Sequence, residues 1–312
     1  MQSIMTLTMN PVVETYTTAN QVVSGRNLHC EAPRRAAGGR GIRVARTIWK
    51  LGGYALAVYP AGGPTGLLLA ELLKTEGIPQ HPLSIDGMTR ENLWIMESST
   101  QRTYRFIMPG PTLNEPEWQR CLDYFADAAN PTAYLVASGC LPPGVPADFF
   151  ACLARIARNN KTRLVLYGGG EPLRLGLEED VYLLKPNIHE LCELAGKDLP
   201  DASHQAEAAL HLVQSGRAEI VVVSLPDGGA VVASAEGAKI MRAPALGTRS
   251  RLGTGDSMLG GIVLGLARDE TLDVAVRLGI AAGAAATLHE DPVASSPEDT
   301  DSVECVEQPT RK

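Results

Sequence analysis

The chain has 312 residues, of which 45% are hydrophobic, 20% are charged and 5% are aromatic. This composition excludes disordered, collagen-like and fibrous proteins and leaves enough apolar material for a large core. With 28 lysines and arginines against 35 aspartates and glutamates the net charge is −7, the opposite of the basic balance typical of nucleic-acid binders, so no nucleic-acid partner is expected.

Short apolar runs alternate with helical patterns along most of the chain. Apolar or β-branched runs predict strands, and apolar residues at three- to four-residue spacing predict helices. The predicted strands cover residues 4–9, 54–59, 133–137, 163–166, 181–184 and 219–224, and the predicted helices cover 41–51, 65–75, 146–159 and 202–214. This alternation is typical of βαβ units, so the sequence predicts one doubly wound α/β core with a parallel sheet.

Three segments depart from the alternation. Residues 11–38 are rich in Thr and Val without a helical period, and residues 92–108 are predicted to form two strands around a polar turn at 98–101. We expect both segments to form a small β lid over a ligand site at the carboxyl ends of the parallel strands. Residues 291–312 are acidic and contain Pro and Ser, which predicts a poorly ordered tail after a domain that covers residues 1–290.

Cysteine spacing and hydropathy bear on localisation. The six cysteines show neither Cys-x-x-Cys nor zinc-ligand spacing, which is typical of reduced thiols in a cytoplasmic protein. The first residues lack a basic stretch followed by an apolar run, and the longest apolar stretches are far shorter than a membrane span. Membrane contact is therefore not expected.

The run Gly253-Thr254-Gly255-Asp256 precedes an apolar helical stretch. Glycines let the backbone approach a ligand closely, and the free N–H groups at a helix start attract anions. Asp256 at the mouth of such an anion hole can deprotonate a hydroxyl that attacks phosphorus. An aspartate here can equally cap the helix, so both roles stay open.

The run Lys185-Pro186-Asn187-Ile188-His189-Glu190 follows a predicted strand. Asn187 and Glu190 are three residues apart at a helix start, where their oxygens can share a face and suit Mg²⁺ held partly through water. The same spacing is typical of a capping box with Asn187 as the cap. The motif by itself does not decide between the two.

The glycine-rich run from Gly38 to Arg46 invites a dinucleotide-binding interpretation. The pattern Gly-x-Gly-x-x-Gly fails because Val44 stands at its third glycine, and no Gly-x-x-x-x-Gly-Lys-Ser/Thr loop occurs in the chain. Rossmann and Walker-type phosphate binding are therefore not expected.

Ten segments together resemble the PfkB (ribokinase-like) family of carbohydrate kinases, in its phosphofructokinase-like branch. They occur in family order as MTLTMNP, GGRGIRVAR, PAGGPTG, MTRENL, YRFIMPGPTLNE, SGCLPPGVP, LLKPNIHEL, VVVSL, GTGDSM and AAGAAATL. The resemblance implies a three-layer α/β/α core with a small β lid, a homodimer, and Mg²⁺-dependent transfer of the ATP γ-phosphoryl group to a sugar or sugar phosphate.

The resemblance also implies roles for residues on the phosphate side. Asp256 corresponds to the catalytic base, with the amides of Gly253, Thr254 and Gly255 as the anion hole. Asn187 and Glu190 correspond to an Asn-x-x-Glu element that organises Mg²⁺ and phosphate. Lys185 is expected near the phosphates, and Ser224 matches a residue near the nucleotide.

On the acceptor side the resemblance implies two groups of residues. Glu14, Gly38, Gly39 and Arg43 fall where the family contacts sugar hydroxyls. Arg90 and Arg105 match arginines that recognise the acceptor's phosphate, and paired guanidinium groups suit a dianion. A lid salt bridge is the alternative for either arginine.

Several positions differ from the family pattern. Arg43 replaces an Asn, Glu14 replaces an Asp, and Tyr167-Gly168-Gly169-Gly170 replaces a segment with a carboxylate. Pro226 stands where a glycine is usual, and Arg249 and Arg251 replace smaller residues.

Three hypotheses follow from the resemblance and these departures. The first is a kinase that converts fructose 6-phosphate to fructose 1,6-bisphosphate. The second is a kinase for tagatose 6-phosphate, fructose 1-phosphate or another anionic sugar. The third is a catalytically degenerate homologue that binds ligands, because likeness of fold does not by itself decide function.

Overall fold

The elements of the protein come from a computed structural model that describes residues 1–127, 129–226, 228–242, 253–287 and 306–308. The strands are β1 (Ile4–Thr8), β2 (Val12–Ala19), β3 (Arg34–Gly38), β4 (Leu56–Ala61), β5 (Gln80–Ser84), β6 (Arg90–Glu97), β7 (Arg102–Phe106), β8 (Tyr134–Ser138), β9 (Arg163–Tyr167), β10 (Val181–Lys185), β11 (Ala218–Ser224), β12 (Ala230–Ser234), β13 (Gly237–Arg242) and β14 (Val306–Gln308). The α-helices are α1 (Arg40–Lys50), α2 (Gly63–Thr75), α3 (Glu115–Ala126), α4 (Phe149–Asn159), α5 (Glu171–Gly176), α6 (Ile188–Ala195), α7 (Ala202–Gln214), α8 (Thr254–Ala267) and α9 (Leu272–Ala285), and Leu177–Glu179 forms a 3-10 turn.

The larger sheet has the order β14-β13-β12-β11-β10-β9-β8-β1-β4-β5. The strands from β11 to β5 in this order are parallel to one another, as the alternation of apolar runs and helices predicts. Strands β12, β13 and β14 extend the sheet in antiparallel fashion beyond β11. These three strands and the edge strand β5 were not among the predicted elements.

Apolar side chains form one core on each face of this sheet. In β8, Leu135 and Ala137 face the core that α3 to α7 cover, whereas Tyr134 and Val136 face the core that α1, α2, α8 and α9 cover. Successive residues of a strand point to opposite faces, so a continuous apolar run serves both cores. The predicted three-layer α/β/α fold is confirmed.

The segments that depart from the βαβ alternation form a separate four-stranded sheet of order β3-β2-β6-β7, which we call the lid sheet. Strands β2 and β6 pair in parallel from Val12 with Arg90 to Ala19 with Glu97, and β7 returns across the turn at 98–101. Strand β2 begins four residues after β1 ends, and β3 leads directly into α1. These connections hold the lid sheet at the carboxyl edge of the larger sheet.

Glycines allow α8 to pack closely against α9. A Cβ atom at Gly261 would lie 2.8 Å from both the Cα of Gly279 and the carbonyl oxygen of Leu278, so only a glycine permits this backbone approach. All residues of α8 from Asp256 to Ala267 are buried. Helix α8 is therefore a fixed support for the groups at its N-terminus.

The end of the chain lies mostly outside the described residues. Val306–Gln308 pairs antiparallel with β13, so the structure has a short strand within the segment predicted to be a disordered tail. Over the ranges that the structure describes, no helix combines the length and apolar character that a membrane span needs.

Candidate active site

Two of the motifs meet at the carboxyl edge of the larger sheet. Tyr167, Lys185 and Ser224 are the last residues of β9, β10 and β11, and neighbouring parallel strands end at the same edge. The N-terminus of α8 lies against them, because a Cβ atom at Gly255 would be 2.6 Å from Tyr167 Oη and 3.4 Å from Lys185 Nζ. The helix start at which an anion hole is predicted, Gly253, Thr254 and Gly255, therefore lies next to a buried ammonium group.

Asp256 lies in the first turn of α8 with 4% of its surface exposed. The N-cap of this helix is Gly253, at a φ of 77°, and Asp256 stands three residues further on in the first turn, so Asp256 is not the N-cap residue. Arg43 Nη1 donates to Asp256 Oδ2 at 3.2 Å, and the Tyr167 hydroxyl lies close enough to the Asp256 carboxylate for its charge to act on that hydroxyl. The helix N-terminus further favours a negative charge at this position.

Arg43 joins the lid sheet to α8. Its Nη2 donates to both carboxylate oxygens of Glu14, at 2.6 and 2.7 Å, while Nη1 reaches Asp256. Burial disfavours the charge of Arg43, but Glu14 and Asp256 outweigh burial and raise its pKa above the usual value. The two departures from the family pattern at positions 14 and 43 thus contact each other.

The ring of Tyr167 contacts two cations. Arg40 Cζ lies 4.9 Å from the ring centroid and Lys185 Nζ lies 4.8 Å from it. Burial raises the pKa of the Tyr167 hydroxyl well above its usual value, and the Asp256 carboxylate raises it further. Tyr167 therefore stays neutral beside Asp256.

Lys185 is 1% exposed, which is rare for a lysine. Burial lowers the pKa of Lys185 to about 8, although Asp256 and Glu190 oppose the shift. Its Nζ is 3.4 Å from Ser224 Oγ. The structure thus brings together the predicted phosphate-side residues Lys185, Ser224 and Asp256.

Asn187 and Glu190 form the capping box of α6. Asn187 Oδ1 accepts from the Glu190 N–H at 2.9 Å, and Glu190 Oε2 accepts from the Asn187 N–H at 2.8 Å. Glu190 Oε1 faces Arg40 Nη1 at 3.5 Å. Capping is confirmed, and each carboxylate oxygen retains a second lone pair, so a metal role stays a prediction.

The acceptor-side residues are only partly brought together. A Cβ atom at Gly38 would lie 2.8 Å from Glu14 Cδ, and one at Gly39 would lie 2.6 Å from Thr8 Cγ2, so both glycines make room for neighbouring side chains. Arg90 donates to the carbonyl oxygens of Met108 and Asn10 at 3.1 and 3.0 Å. Burial lowers the pKa of Arg90, and Glu14 and Arg43 are close enough to influence it.

Arg105 is the predicted site residue that lies apart from the others. Its guanidinium stacks on Trp94 at 4.4 Å from the ring centroid, and the residue is exposed on β7. The predicted alternative, a salt bridge within the lid, is not what the described residues show at Arg105.

Sequence reasoning missed Arg40 as a site residue and treated Tyr167 only as a departure. Arg40 is the first residue of α1, directly after the Gly38-Gly39 pair. Its place next to these glycines is the sequence feature that indicates a side chain near the site. Of the other departures, Pro226 is an exposed turn residue after β11. Arg249 and Arg251 lie outside the described residues.

Charged groups of both signs lie together in the described part of the site. Its cations include Arg40, Arg43 and Lys185, and its anions include Glu14, Glu190 and Asp256. In the part of the chain that the structure describes, no three His, Cys, Asp or Glu residues cluster as metal ligands. The site can hold an anion at α8 beside a buried carboxylate, and a metal would need ligands that its substrate supplies.

These features define the class of ribokinase-like carbohydrate kinases, and comparison with known proteins agrees. The chain matches the pfkB family carbohydrate kinases over residues 7–299, and it belongs to that family. The family resemblance of its motifs is thereby confirmed.

The relatives include bacterial proteins named 6-phosphofructokinase isozyme 2. The chain is 41% identical to the ATP-dependent 6-phosphofructokinase isozyme 2 of Mycobacterium tuberculosis, over 96% of this chain and 88% of that protein. It is 38% identical to the Escherichia coli protein of the same name, over 97% and 98%. A crystal structure of the Escherichia coli phosphofructokinase-2 in complex with fructose 6-phosphate superposes with a TM-score of 0.90 at 38% identity, over 96% of this chain and 97% of that chain.

Proposed function

We propose that this protein is an ATP-dependent sugar-phosphate kinase, with fructose 6-phosphate as its acceptor. The observation that carries the proposal is the buried Asp256 in the first turn of α8, with Lys185 close to the same turn. The N–H groups of that turn are proposed to bind the transferring phosphate. A base and an anion hole this close suit transfer of a phosphoryl group to a hydroxyl. Relatives named 6-phosphofructokinase isozyme 2 at 38% and 41% identity support the choice of acceptor.

In this mechanism Asp256 accepts the proton of the attacking hydroxyl. The N–H groups of Gly253, Thr254 and Gly255 donate to the oxygens of the transferring group, where charge accumulates in the transition state. The side chains of Lys185 and Arg40 lie against Tyr167 at the same edge and add positive charge next to those oxygens. Positioning and charge stabilisation thus account for the catalysis.

ATP and Mg²⁺ are the proposed cofactors. Lys185, Asn187 and Ser224 border the nucleotide side, with Lys185 close to Ser224 Oγ. Mg²⁺ usually keeps several waters and takes one or two carboxylates together with substrate phosphates, so Asn187 and Glu190 would hold it through their remaining lone pairs. When bound, the ion would neutralise charge on the phosphate oxygens.

The acceptor is proposed to lie under the lid sheet. Gly38 and Gly39 end β3 and open α1, so backbone there can approach a sugar closely. Arg90 keeps its buried Nε without a hydrogen-bond partner among the described residues, and this donor would reach the acceptor's phosphate only if the groups that cover it moved. Arg105 would reach that phosphate only by leaving Trp94.

A panel of acceptors tests this function. We expect MgATP with fructose 6-phosphate to give acceptor-dependent ADP release from the purified protein, measured beside Asp256→Asn as the blank. Tagatose 6-phosphate and fructose 1-phosphate complete the panel, because a 30% identical relative in Xanthomonas campestris is named 1-phosphofructokinase. Preference for one of these sugars would replace fructose 6-phosphate as the acceptor and keep the kinase.

A degenerate homologue is the second candidate, and one observation favours it. Asp256 already accepts a hydrogen bond from Arg43 and lies close to Tyr167, and neither residue follows the family pattern. Binding of MgATP without ADP release for any acceptor would support this candidate and contradict the kinase.

The buried lysine predicts a pH dependence of nucleotide binding. Because the pKa of Lys185 is lowered to about 8, the ammonium group is charged at pH 7 and loses its proton as the pH rises through 8. We expect the Kd of MgATP to rise about 10-fold between pH 7 and pH 9.5, which is the loss of roughly one charge contact. Calorimetric titration at several pH values measures this change.

The variant Lys185→Met should bind MgATP weakly with little dependence on pH over the same range. Lys74→Met, at an exposed lysine of α2, is the matched control. A wild-type Kd that stays constant through pH 9.5 would contradict a role for Lys185 at the phosphates.

A homodimer in the cytoplasm completes the proposal. Phe106, Ile107 and Met108 are exposed apolar residues at the end of β7, and apolar surface of this kind is typical of interaction sites. One structure of the Escherichia coli relative is described as a tetrameric inhibited form, so assembly occurs in that protein.

A further inference from the structure

Glu14 has almost no carboxylate surface left for a ligand. Only 4% of the surface of Glu14 is exposed. Oε1 and Oε2 both accept from Arg43 Nη2, and Oε2 also accepts from the Tyr16 hydroxyl at 2.7 Å. The backbone of Gly38 closes another side, since a Cβ atom there would be 2.8 Å from Glu14 Cδ.

Arg43 connects Glu14 to Asp256. Glu14 lies on β2 of the lid sheet, Arg43 on α1 and Asp256 on α8, so one guanidinium connects three elements. Its planar fork donates from Nη2 to one carboxylate and from Nη1 to the other. A lysine at this position, with a single charged atom, could not hold both carboxylates in this geometry.

Arg43 also borders the place where the reaction occurs. In the proposed mechanism the attacking oxygen lies within about 3 Å of an Asp256 oxygen, and Arg43 Nη1 is 3.2 Å from Oδ2. A shift of the guanidinium would therefore move the carboxylate relative to the attacking hydroxyl. The lid end of this series of contacts is also held in place, because the Tyr16 ring stacks on the Trp94 ring with 5.7 Å between their centroids.

We infer that Glu14 is a positioning residue, which acts on Asp256 through Arg43 and does not bind the acceptor itself. The inference rests on the proposed function, since it assigns Glu14 a task in that reaction. It couples the lid sheet to the base: Tyr16 and Glu14 move with β2, and Arg43 transmits the position of β2 to α8.

A double-mutant cycle on kinetics tests the inference. We expect Glu14→Gln to lower kcat by about 10-fold or more, with a change of less than about 3-fold in the KM of the acceptor, because orientation of the base is lost while acceptor contacts remain. Arg43→Met should lower kcat at least as much. The kcat of the double variant should be no lower than that of Arg43→Met, because Glu14 acts on kcat only through Arg43.

Two further variants separate positioning from folding. Arg43→Lys should restore the midpoint of thermal unfolding close to wild type without restoring kcat, since it keeps a cation beside Glu14 but not the fork. Glu91→Gln, on β6 of the same lid sheet and bonded to Thr65, should leave kcat and KM unchanged.

The outcomes distinguish this inference from the proposed function. If the wild type is active, two results would overturn the inference alone. One is that Glu14→Gln changes mainly the acceptor KM, and the other is that its loss of kcat adds in full to the loss of kcat in Arg43→Met. A wild type without ADP release for any acceptor would overturn the kinase and the inference with it.

Discussion

Replacement of Asp256 by asparagine is expected to lower acceptor-dependent ADP release by about 10²- to 10⁴-fold, the usual contribution of a general base. An amide has the shape of the carboxylate but cannot accept the proton of the attacking hydroxyl. Its oxygen can still accept from Arg43 Nη1, which lies 3.2 Å from Oδ2. Fold and nucleotide binding should therefore be retained, which thermal unfolding and MgATP titration would show.

The matched control is Asp123→Asn on α3, where the exposed carboxylate accepts from Gln119 far from the candidate site. This control should keep full activity. If Asp256→Asn turned over at the wild-type rate with an unchanged unfolding midpoint, Asp256 would not be the base, and another proton acceptor at this edge of the sheet would have to be sought.

Addition of a single methyl group at Gly255 is expected to disable the site. The new Cβ atom would lie 2.6 Å from Tyr167 Oη, and Tyr167 cannot retreat because Arg40 and Lys185 contact its ring. We expect Gly255→Ala to destabilise the fold by about 1–3 kcal/mol, as overpacking does. Displacement of the α8 N-terminus should also lower ADP release by about 10²-fold.

Removal of the Tyr167 hydroxyl should reverse this effect. In Tyr167→Phe the nearest ring atom to the new methyl group is Cζ at 3.6 Å, an ordinary contact, and Lys185 Nζ is 3.4 Å away. In that background Gly255→Ala should be neutral or should stabilise the helix by about 0.5–1 kcal/mol, because alanine is a better helix former than glycine. The unfolding free energies of the four proteins measure this coupling.

The two single variants are the controls for the pair. Tyr167→Phe alone removes a hydroxyl close to Asp256 and should fold with near-normal stability. Equal destabilisation by Gly255→Ala in both backgrounds would show that the close approach of Tyr167 to α8 does not determine the cost.

The pattern of residues along the chain was sufficient for the fold class and for the location of the main motifs. Runs of four or five apolar residues mark β8 to β11, because a strand buried on both faces needs no polar alternation. The residues that end β10 and β11, Lys185 and Ser224, then lie at one edge as a consequence of parallel order. Local spacing also predicted the capping box at Asn187 and Glu190, since this interaction spans three residues.

Contacts between distant segments were decided only by the tertiary structure. The antiparallel strands β12 to β14 depend on pairing partners rather than on their own pattern. The Arg43 contact with Asp256 spans 213 positions of the chain and the one with Glu14 spans 29, so neither has a local signal. The packing of α1, α8 and the lid sheet decides whether Glu14 contacts a ligand or a guanidinium. It also decides whether the Tyr167 side chain lies inside or outside the site, because side-chain partners are set by the surrounding elements.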